Sequence, residues 1–260
     1  GLYYFDLYAI ERFKYVLANF ESKRVIKSNI QNLNLSEVDE NLNVFYISEK
    51  LRNYCLGLSW SKMIEIETKV PLIDQIIDLV DPKYISIPSI AIYYQIYLTF
   101  INPDIHVHFY KLKELIKLHI HLFPGNEARD IVNAAINYTI QQQNKGNMSF
   151  AQDNFELWKH GLETQVVLIN DEISPWSFKN IVTLALRLNQ FKWVETFIDD
   201  YGPKINVSFR ENAINYNRAS LYFYKKEYDR AIPLLQKVQF DEINYGLGAK
   251  SILLACYYEL

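Results

Sequence analysis

The chain has 260 residues and carries 27 lysines and arginines against 30 aspartates and glutamates, which gives a formal net charge of −3. Glycine and proline number 8 each, and this scarcity excludes collagen-like and low-complexity chains and disfavours turn-dense β-sandwiches and barrels. Two cysteines, Cys55 and Cys256, are too few for a disulfide framework or a cysteine-based zinc site. Because no run of lysines or arginines offers several cations on one face, we expect no nucleic-acid partner.

Hydrophobic residues recur at helical spacing along most of the chain. Val44, Ile47, Leu51 and Cys55, for example, fall on one face of a helix. Sustained two-residue alternation is absent from the sequence, so we expect an all-α fold. The predicted helices are 3–31, 37–58, 60–69, 72–80, 88–101, 104–122, 127–143, 149–162, 176–188, 191–200, 210–225, 229–240 and 248–260. The connections are short, which predicts that neighbouring helices form antiparallel hairpins.

One apolar stretch is nearly long enough to be a membrane span. Residues 84–102 include no charged side chain, and this length is close to the roughly 20 residues that a membrane-spanning helix needs. However, Pro88 interrupts the stretch, and polar residues such as Gln95 and Thr99 dilute it. We therefore expect no membrane span here, but a helix that the rest of the protein buries on most sides.

The clearest internal pattern lies in residues 212–260. Ala219 and Ala231 are small enough to let two helix backbones approach closely. Large side chains would fill the space around the two alanines: Tyr222, Tyr228 and Leu235. This segment resembles a tetratricopeptide repeat, a 34-residue helix–turn–helix unit that buries its apolar face only when several units are stacked.

Weaker copies of the pattern flank this repeat. Residues 249–260 resemble the first helix of a further unit, and a similar arrangement recurs around Val194. The resemblance implies a right-handed α-solenoid of antiparallel helix hairpins. It predicts a single helical-repeat domain over 1–260, in which 1–82 contains no assignable repeat and 88–260 consists of degenerate repeats. The alternative is an ordinary α-helical domain in which the pattern arises by chance.

Two features depart from the family pattern. Pro233 lies inside the second helix of the clearest repeat, so we expect a late or bent start to helix 229–240. In addition, Leu260 closes a first helix that no second helix follows, although repeat arrays usually end in a polar cap. We therefore expect that the chain is a fragment of a longer protein, or that its apolar C-terminal helix 248–260 forms a homo-oligomer.

The sequence predicts no catalytic or metal-binding residues. His106, His108, His119 and His121 fall in the predicted helix 104–122, where residues two apart point about 200° away from each other, so neither H-x-H pair can chelate an ion. If this segment were a strand, the two histidines of each pair would point to the same side, and a metal site would become possible. Nucleophile elbow, P-loop, dinucleotide and H-E-x-x-H motifs are missing. We expect no enzyme activity and no cofactor.

The family resemblance implies a concave surface lined by the first helix of each unit. Carried over position by position, the peptide-binding residues on that surface are Lys179, Asn180, Thr183, Arg187, Tyr216, Asn217, Ser220, Phe223 and Tyr224. Ala249 and Leu253 replace cations with which some family members clamp a peptide carboxylate, so we expect no such clamp. A groove of tyrosine, asparagine and one or two cations suits an extended peptide or a partner helix. Alternatively, these are ordinary core or solvated side chains.

The sequence therefore predicts a non-enzymatic protein- or peptide-binding scaffold or regulatory module. The alternative function is a ligand-sensing helical domain that regulates an attached effector, and a closed apolar pocket between helices would favour it. Nothing in the sequence resembles a secretory signal, which favours a cytoplasmic location. Because the chain begins at Gly1 rather than at a methionine, the earlier removal of such a signal stays open.

Overall fold

The computed structural model describes residues 2–24, 34–64, 69–80, 83–239 and 245–260. Across these ranges the regular secondary structure is helical, and the one β-type contact is an isolated antiparallel bridge between Ile169 and Glu172. The predicted all-α class is therefore confirmed. The handedness and repeat character of the predicted solenoid stay predictions, as does the single repeat domain over 1–260.

The chain divides into two compact units, residues 1–123 and 124–260. The first unit contains five α-helices in the part that the structure describes: α1 (Leu2–Arg24), α2 (Leu35–Ile64), α3 (Ile73–Leu79), α4 (Pro88–Ile101) and α5 (Val107–His119). Helix α2 is central to this unit because it packs against α1, α3 and α4, and α4 packs in turn against α5. We predicted separate helices over 37–58 and 60–69, but Ser59 and Trp60 continue α2 without a break as far as Ile64. Residues 65–68 of that prediction, like residues 25–31 of the predicted helix 3–31, lie outside the described residues.

The predicted buried helix after Pro88 is confirmed. Proline stands in the first turn of α4, where the missing backbone N–H costs no intrahelical hydrogen bond. Eight of its residues are buried, including the polar Gln95 and Thr99. The Thr99 hydroxyl donates to the carbonyl oxygen of Ile96 at 2.6 Å, which satisfies it inside the core. No helix in the described ranges is both long enough and apolar enough to cross a membrane.

The second unit is a run of seven α-helices: α6 (Gly125–Asn144), α7 (Phe150–Glu163), α8 (Pro175–Arg187), α9 (Phe191–Tyr201), α10 (Val207–Tyr224), α11 (Tyr228–Leu235) and α12 (Gly246–Glu259). Each helix packs against the next one along the chain. Contacts also join α8 to α10 and α10 to α12, so alternate helices touch as well as consecutive ones. Helix α10 is therefore a neighbour of both α8 and α12.

The two alanines of the clearest repeat are buried, and their predicted close approach to each other stays a prediction. Ala219 on α10 and Ala231 on α11 are both fully buried, and these two helices pack against each other. Leu235 is also fully buried. Tyr222 differs from the expectation, since its ring is only half-buried and lies under the Arg230 guanidinium, 4.0 Å from the ring centroid.

The helix around Pro233 does not start late, because α11 begins at Tyr228; a bent start stays a prediction. Helix α11 ends at Leu235, short of the predicted helix 229–240, whose last residue lies outside the described part of the chain. Proline has no N–H to donate, so α11 lacks the hydrogen bond from its sixth residue to the carbonyl oxygen of Asp229. The backbone N–H of Gln239 then donates to the Asn212 side chain on α10 at 2.7 Å.

A loop of unusual backbone geometry leads into α8. Asn170 and Asp171 have positive φ angles of 52° and 63° at the tip of the turn between the bridged residues Ile169 and Glu172. Both residue types tolerate this left-handed conformation better than other non-glycine residues. From α6, Arg129 donates to the carbonyl oxygens of Val166 and Leu168 at 3.1 and 2.9 Å. The loop is thus fixed to the helices on which it folds.

Candidate functional site

A row of accessible side chains runs along α8. Ser174 caps the helix by accepting a hydrogen bond from the N–H of Ser177 at 3.0 Å, and Pro175 occupies the first turn. Four predicted groove residues follow on one helix face: Lys179, Asn180, Thr183 and Arg187. Three of them are half-buried, and Arg187 is exposed. The predicted residues on this helix therefore share one surface.

Trp176 belongs to the same row and was missed by the sequence analysis. It precedes Lys179 by three residues, and 58% of its surface is exposed. The signal was present, because the family pattern also assigns its second position to the concave surface, and in this unit that position is Trp176. An indole exposed beside polar side chains is a typical anchor of protein interfaces.

The Lys179 ammonium lies against two tyrosine rings from elsewhere in the chain. Its Nζ atom is 5.2 Å from the ring centroid of Tyr216 on α10 and 5.5 Å from that of Tyr245, which immediately precedes α12. The two ring centroids are 5.0 Å apart. We call these three residues the lysine–tyrosine cluster. The two distances from Nζ to the ring centroids fall within the range of cation–π attraction. Partial burial lowers the pKa of the Lys179 ammonium.

Tyr245 holds the lysine–tyrosine cluster in place. Its side chain is fully buried, and its hydroxyl donates to the carbonyl oxygen of Pro175 at 2.8 Å. One side chain thus joins the start of α12 to the start of α8. No sequence signal pointed to this residue, because it lies before the predicted helix 248–260 and its partner is distant in the chain.

Gly248 lets α12 approach the lysine–tyrosine cluster. A Cβ atom at this position would lie 2.5 Å from the Tyr216 hydroxyl oxygen and 3.2 Å from two ring carbons. Real side chains do not tolerate the shorter of these distances, so any larger residue would displace the Tyr216 ring. That ring cannot move freely because Lys179 and Tyr245 pack against it. The glycine is therefore required by packing.

The predicted groove residues on α10 are largely inside the protein. Tyr216, Asn217 and Ser220 are all buried. The Ser220 hydroxyl donates to the carbonyl oxygen of Tyr216 at 2.9 Å, and the Asn217 amide donates to that of Ala213 at 2.8 Å. These hydrogen bonds return to their own helix and satisfy the donors inside the protein. We call these three buried residues the wall on α10.

One polar atom of that wall lacks a partner. The Asn217 side-chain oxygen is buried without a hydrogen bond to any residue that the structure describes. An unpaired buried carbonyl costs about 1–3 kcal/mol of stability. Burial also raises the pKa of the neighbouring Tyr216 phenol above its ordinary value, so this phenol is neutral at physiological pH. The wall on α10 therefore carries no charge, and the nearby charge is the Lys179 ammonium on α8.

Phe223 and Tyr224 lie at the C-terminal end of α10. The Phe223 ring is half-buried and packs against Tyr228, with 5.9 Å between ring centroids. Tyr224 is more open, with 40% of its surface exposed. The predicted groove set thus separates into accessible residues, mainly on α8, and buried residues on α10. The role of the whole set in peptide binding stays a prediction.

No family model, curated protein or solved structure matches this chain. The resemblance to tetratricopeptide repeats therefore stays a prediction that depends on the residues quoted for it. The function has to be argued from the geometry of the molecule itself.

A depression of about 210 Å³ lies between α9 and α10. It has four polar side chains in its lining: Glu195, Asp199, Arg218 and Tyr222. Arg218 donates to Asp199 at 2.6 Å, and Lys225 forms an ion pair with Glu195. Ligand pockets typically enclose about 300–1,000 Å³ and are mostly apolar. This depression is smaller and its carboxylates already have cationic partners.

The histidines do not come together. His108 and His119 lie on α5, whereas His106 precedes the helix and His121 is in the short 3₁₀ turn that follows it. The His108 Nδ1 and Gln95 Oε1 atoms are 3.3 Å apart, and burial together with the Lys111 cation lowers the pKa of His108. Among the residues that the structure describes, no group of three or more histidine, cysteine or acidic side chains could hold a metal ion.

Proposed function

We propose that this chain is a non-enzymatic protein- or peptide-binding scaffold or regulatory module, and that its partner binds along α8. The observation that carries the proposal is the fixed Lys179 ammonium beside the exposed indole of Trp176. Because two rings hold the Lys179 ammonium, it loses little conformational freedom on binding, which favours affinity. Trp176 adds the large contact area of an exposed aromatic side chain.

The spacing of the row fits an extended partner. Lys179 and Arg187 are eight residues apart, so their Cα atoms lie about 12 Å apart along the helix axis. An extended peptide advances about 3.3 Å per residue and would cover this distance with about four residues. Between the two cations, Asn180 and Thr183 supply hydrogen-bonding groups for the peptide backbone. The buried wall on α10 would keep the row rigid without touching the partner.

A displayed library of random peptides tests the proposal. The best peptide would be titrated by calorimetry against the wild type, Trp176→Ala and Arg187→Ala. We expect Trp176→Ala to raise Kd at least tenfold and Arg187→Ala to raise it several-fold. Val207→Ala is the matched control, because Val207 is 75% exposed on another helix and should not change Kd.

Two results would contradict the proposal. The first is failure of the library to yield any enriched sequence. The second is a peptide whose Kd stays the same in Trp176→Ala and in Arg187→Ala. Because both substituted side chains are exposed or largely exposed, circular dichroism should show unchanged helix content, so a lost affinity would report on the surface and not on folding.

A further inference from the structure

Helix α1 presents an apolar stripe that faces away from its own unit. The stripe consists of Tyr3, Ile10, Phe13 and Leu17, whose exposed fractions are 65%, 50%, 63% and 44%. At 100° per residue, these four side chains lie within one sector of the helix surface. A continuous exposed stripe of this kind marks an interaction surface more often than scattered single residues do.

The opposite face of α1 is occupied by its own unit. Helix α1 packs against α2, and the rings of Phe5 and Phe45 have centroids 5.3 Å apart. The Asn34 amide just before α2 donates to the Glu11 side chain at 2.5 Å and to the Glu11 carbonyl oxygen at 3.0 Å. The inner face is therefore anchored, and the stripe cannot turn inward without breaking these contacts.

The charges within the stripe have a symmetry that identifies its occupant. Asp6 and Lys14 lie four residues before and four residues after Ile10, and Tyr3 and Leu17 lie seven residues before and after it. Both Asp6 and Lys14 are exposed. Exchanging the two directions of the helix about Ile10 therefore maps Tyr3 onto Leu17 and Asp6 onto Lys14.

We propose that α1 pairs with α1 of a second copy of this chain, antiparallel, about a two-fold axis at Ile10. Two identical ion pairs then form, each between Asp6 of one chain and Lys14 of the other, while Tyr3 faces Leu17 on both sides. A parallel pairing would instead place aspartate against aspartate and lysine against lysine. Lys14 also binds Glu11 in its own helix at 2.7 Å, and its three N–H donors can serve both carboxylates.

The predicted dimer is weak and depends on concentration. A single pair of helices buries less than the roughly 1,200 Å² of total surface that stable complexes bury. Sedimentation equilibrium of the full chain should therefore show a shift from 30.7 kDa toward twice that mass as the concentration rises to a few hundred micromolar. This inference does not depend on the proposed peptide-binding function.

Charge reversal tests both the occupant and its direction. Asp6→Lys alone and Lys14→Asp alone each place like charges opposite each other, and we expect each to raise the dimer Kd about tenfold. An equimolar mixture of the two single variants should form a heterodimer, because each supplies the charge that the other lacks. Ile10→Asn should abolish the dimer, whereas Val207→Ser on the second unit should leave it unchanged.

Each of two results would overturn the proposal. One is a chain that stays monomeric over the whole concentration range. The other is a dimer that tolerates both Ile10→Asn and the charge reversals but is lost in Leu254→Ser, because Leu254 is an exposed residue of α12 and the C-terminal helix would then be the interface. Helix content measured by circular dichroism separates either result from a failure to fold, since the substituted side chains are exposed.

Discussion

The hydroxyl of Tyr245 donates a hydrogen bond to the carbonyl oxygen of Pro175, with 2.8 Å between the two oxygen atoms and 70 positions of chain between the two residues. This bond joins the start of α12 to the start of α8. It also orients the ring that lies under the Lys179 ammonium. The lysine–tyrosine cluster therefore depends on a contact between residues that are remote in sequence.

Replacing Tyr245 by phenylalanine removes the hydroxyl and keeps the ring, so it measures the contribution of the hydrogen bond to stability separately from that of the ring. We expect Tyr245→Phe to lower the free energy of unfolding by about 1 kcal/mol, since the ring still packs while the hydroxyl is lost. Tyr245→Ala should cost about 3–5 kcal/mol because it also leaves a cavity. Urea titration measures both values. An unchanged stability in Tyr245→Phe would contradict the hydrogen bond, and equal losses in the two variants would contradict the packing of the ring.

The pH dependence of stability tests the burial of Lys179. Burial lowers its pKa from the ordinary value of 10.5. Between the lowered pKa and 10.5 the unfolded chain binds more protons than the folded chain at this site, so the group adds stability as the pH rises through that window. Lys179→Met keeps most of the side-chain stem and removes the titration.

The quantity to measure is the difference in unfolding free energy between the wild type and Lys179→Met at several pH values. We expect this difference to shift in favour of the wild type as the pH rises toward 10.5. Titrating groups that lie away from residue 179 are shared by both proteins and cancel in the difference. A difference that stays constant, or that shifts in favour of the variant, would contradict a half-buried and partly desolvated Lys179.

Two glycines at the starts of helices provide a matched comparison. Gly248→Ala would place a Cβ atom 2.5 Å from the Tyr216 hydroxyl, and we expect it to lower the unfolding free energy by about 1–3 kcal/mol. Gly125→Ala meets nothing within 4 Å, and we expect a change near zero or a gain of up to about 1 kcal/mol. Thermal unfolding of both variants is the measurement. Similar effects at the two sites would show that α12 does not pack closely on Tyr216.

A substitution of Asn217 tests whether this residue belongs to the buried wall or contacts the peptide. Its side-chain oxygen is buried and has no hydrogen-bond partner in the described parts of the chain. Replacing the whole amide by an apolar group of similar size removes this cost, so we expect Asn217→Leu to be neutral or slightly stabilising and to leave peptide affinity unchanged. A loss of affinity at unchanged stability would instead return Asn217 to the binding surface.

The sequence predicts the helices of the second unit well and its contacts less well. The row on α8 could be read from spacing alone, because four side chains on one face need only the period of a helix. The burial of Asn217 and Ser220 could not be predicted from the sequence. Both side chains donate to carbonyl oxygens of their own helix, and no sequence pattern distinguishes them from exposed polar residues. The single helix through Ser59 was also missed, because propensity alone does not decide where one helix ends and the next begins.

Long-range contacts explain the rest of the difference. Tyr245 lies outside every predicted helix, and its importance depends on the position of Pro175, which local patterns do not determine. The early end of α11 was also not predicted by local patterns. The proline rule concerns the turn before Pro233, whereas the chain that leaves α11 is bound by Asn212 from another helix.

Photo-crosslinking tests most directly whether α8 is the binding surface. A peptide selected from the library would carry a photoreactive phenylalanine analogue at its central position, and the crosslinked residues would be identified by mass spectrometry. We predict crosslinks to α8 between Trp176 and Arg187, with competition by the unlabelled peptide. Competed crosslinks confined to other helices, with none on α8, would contradict the account.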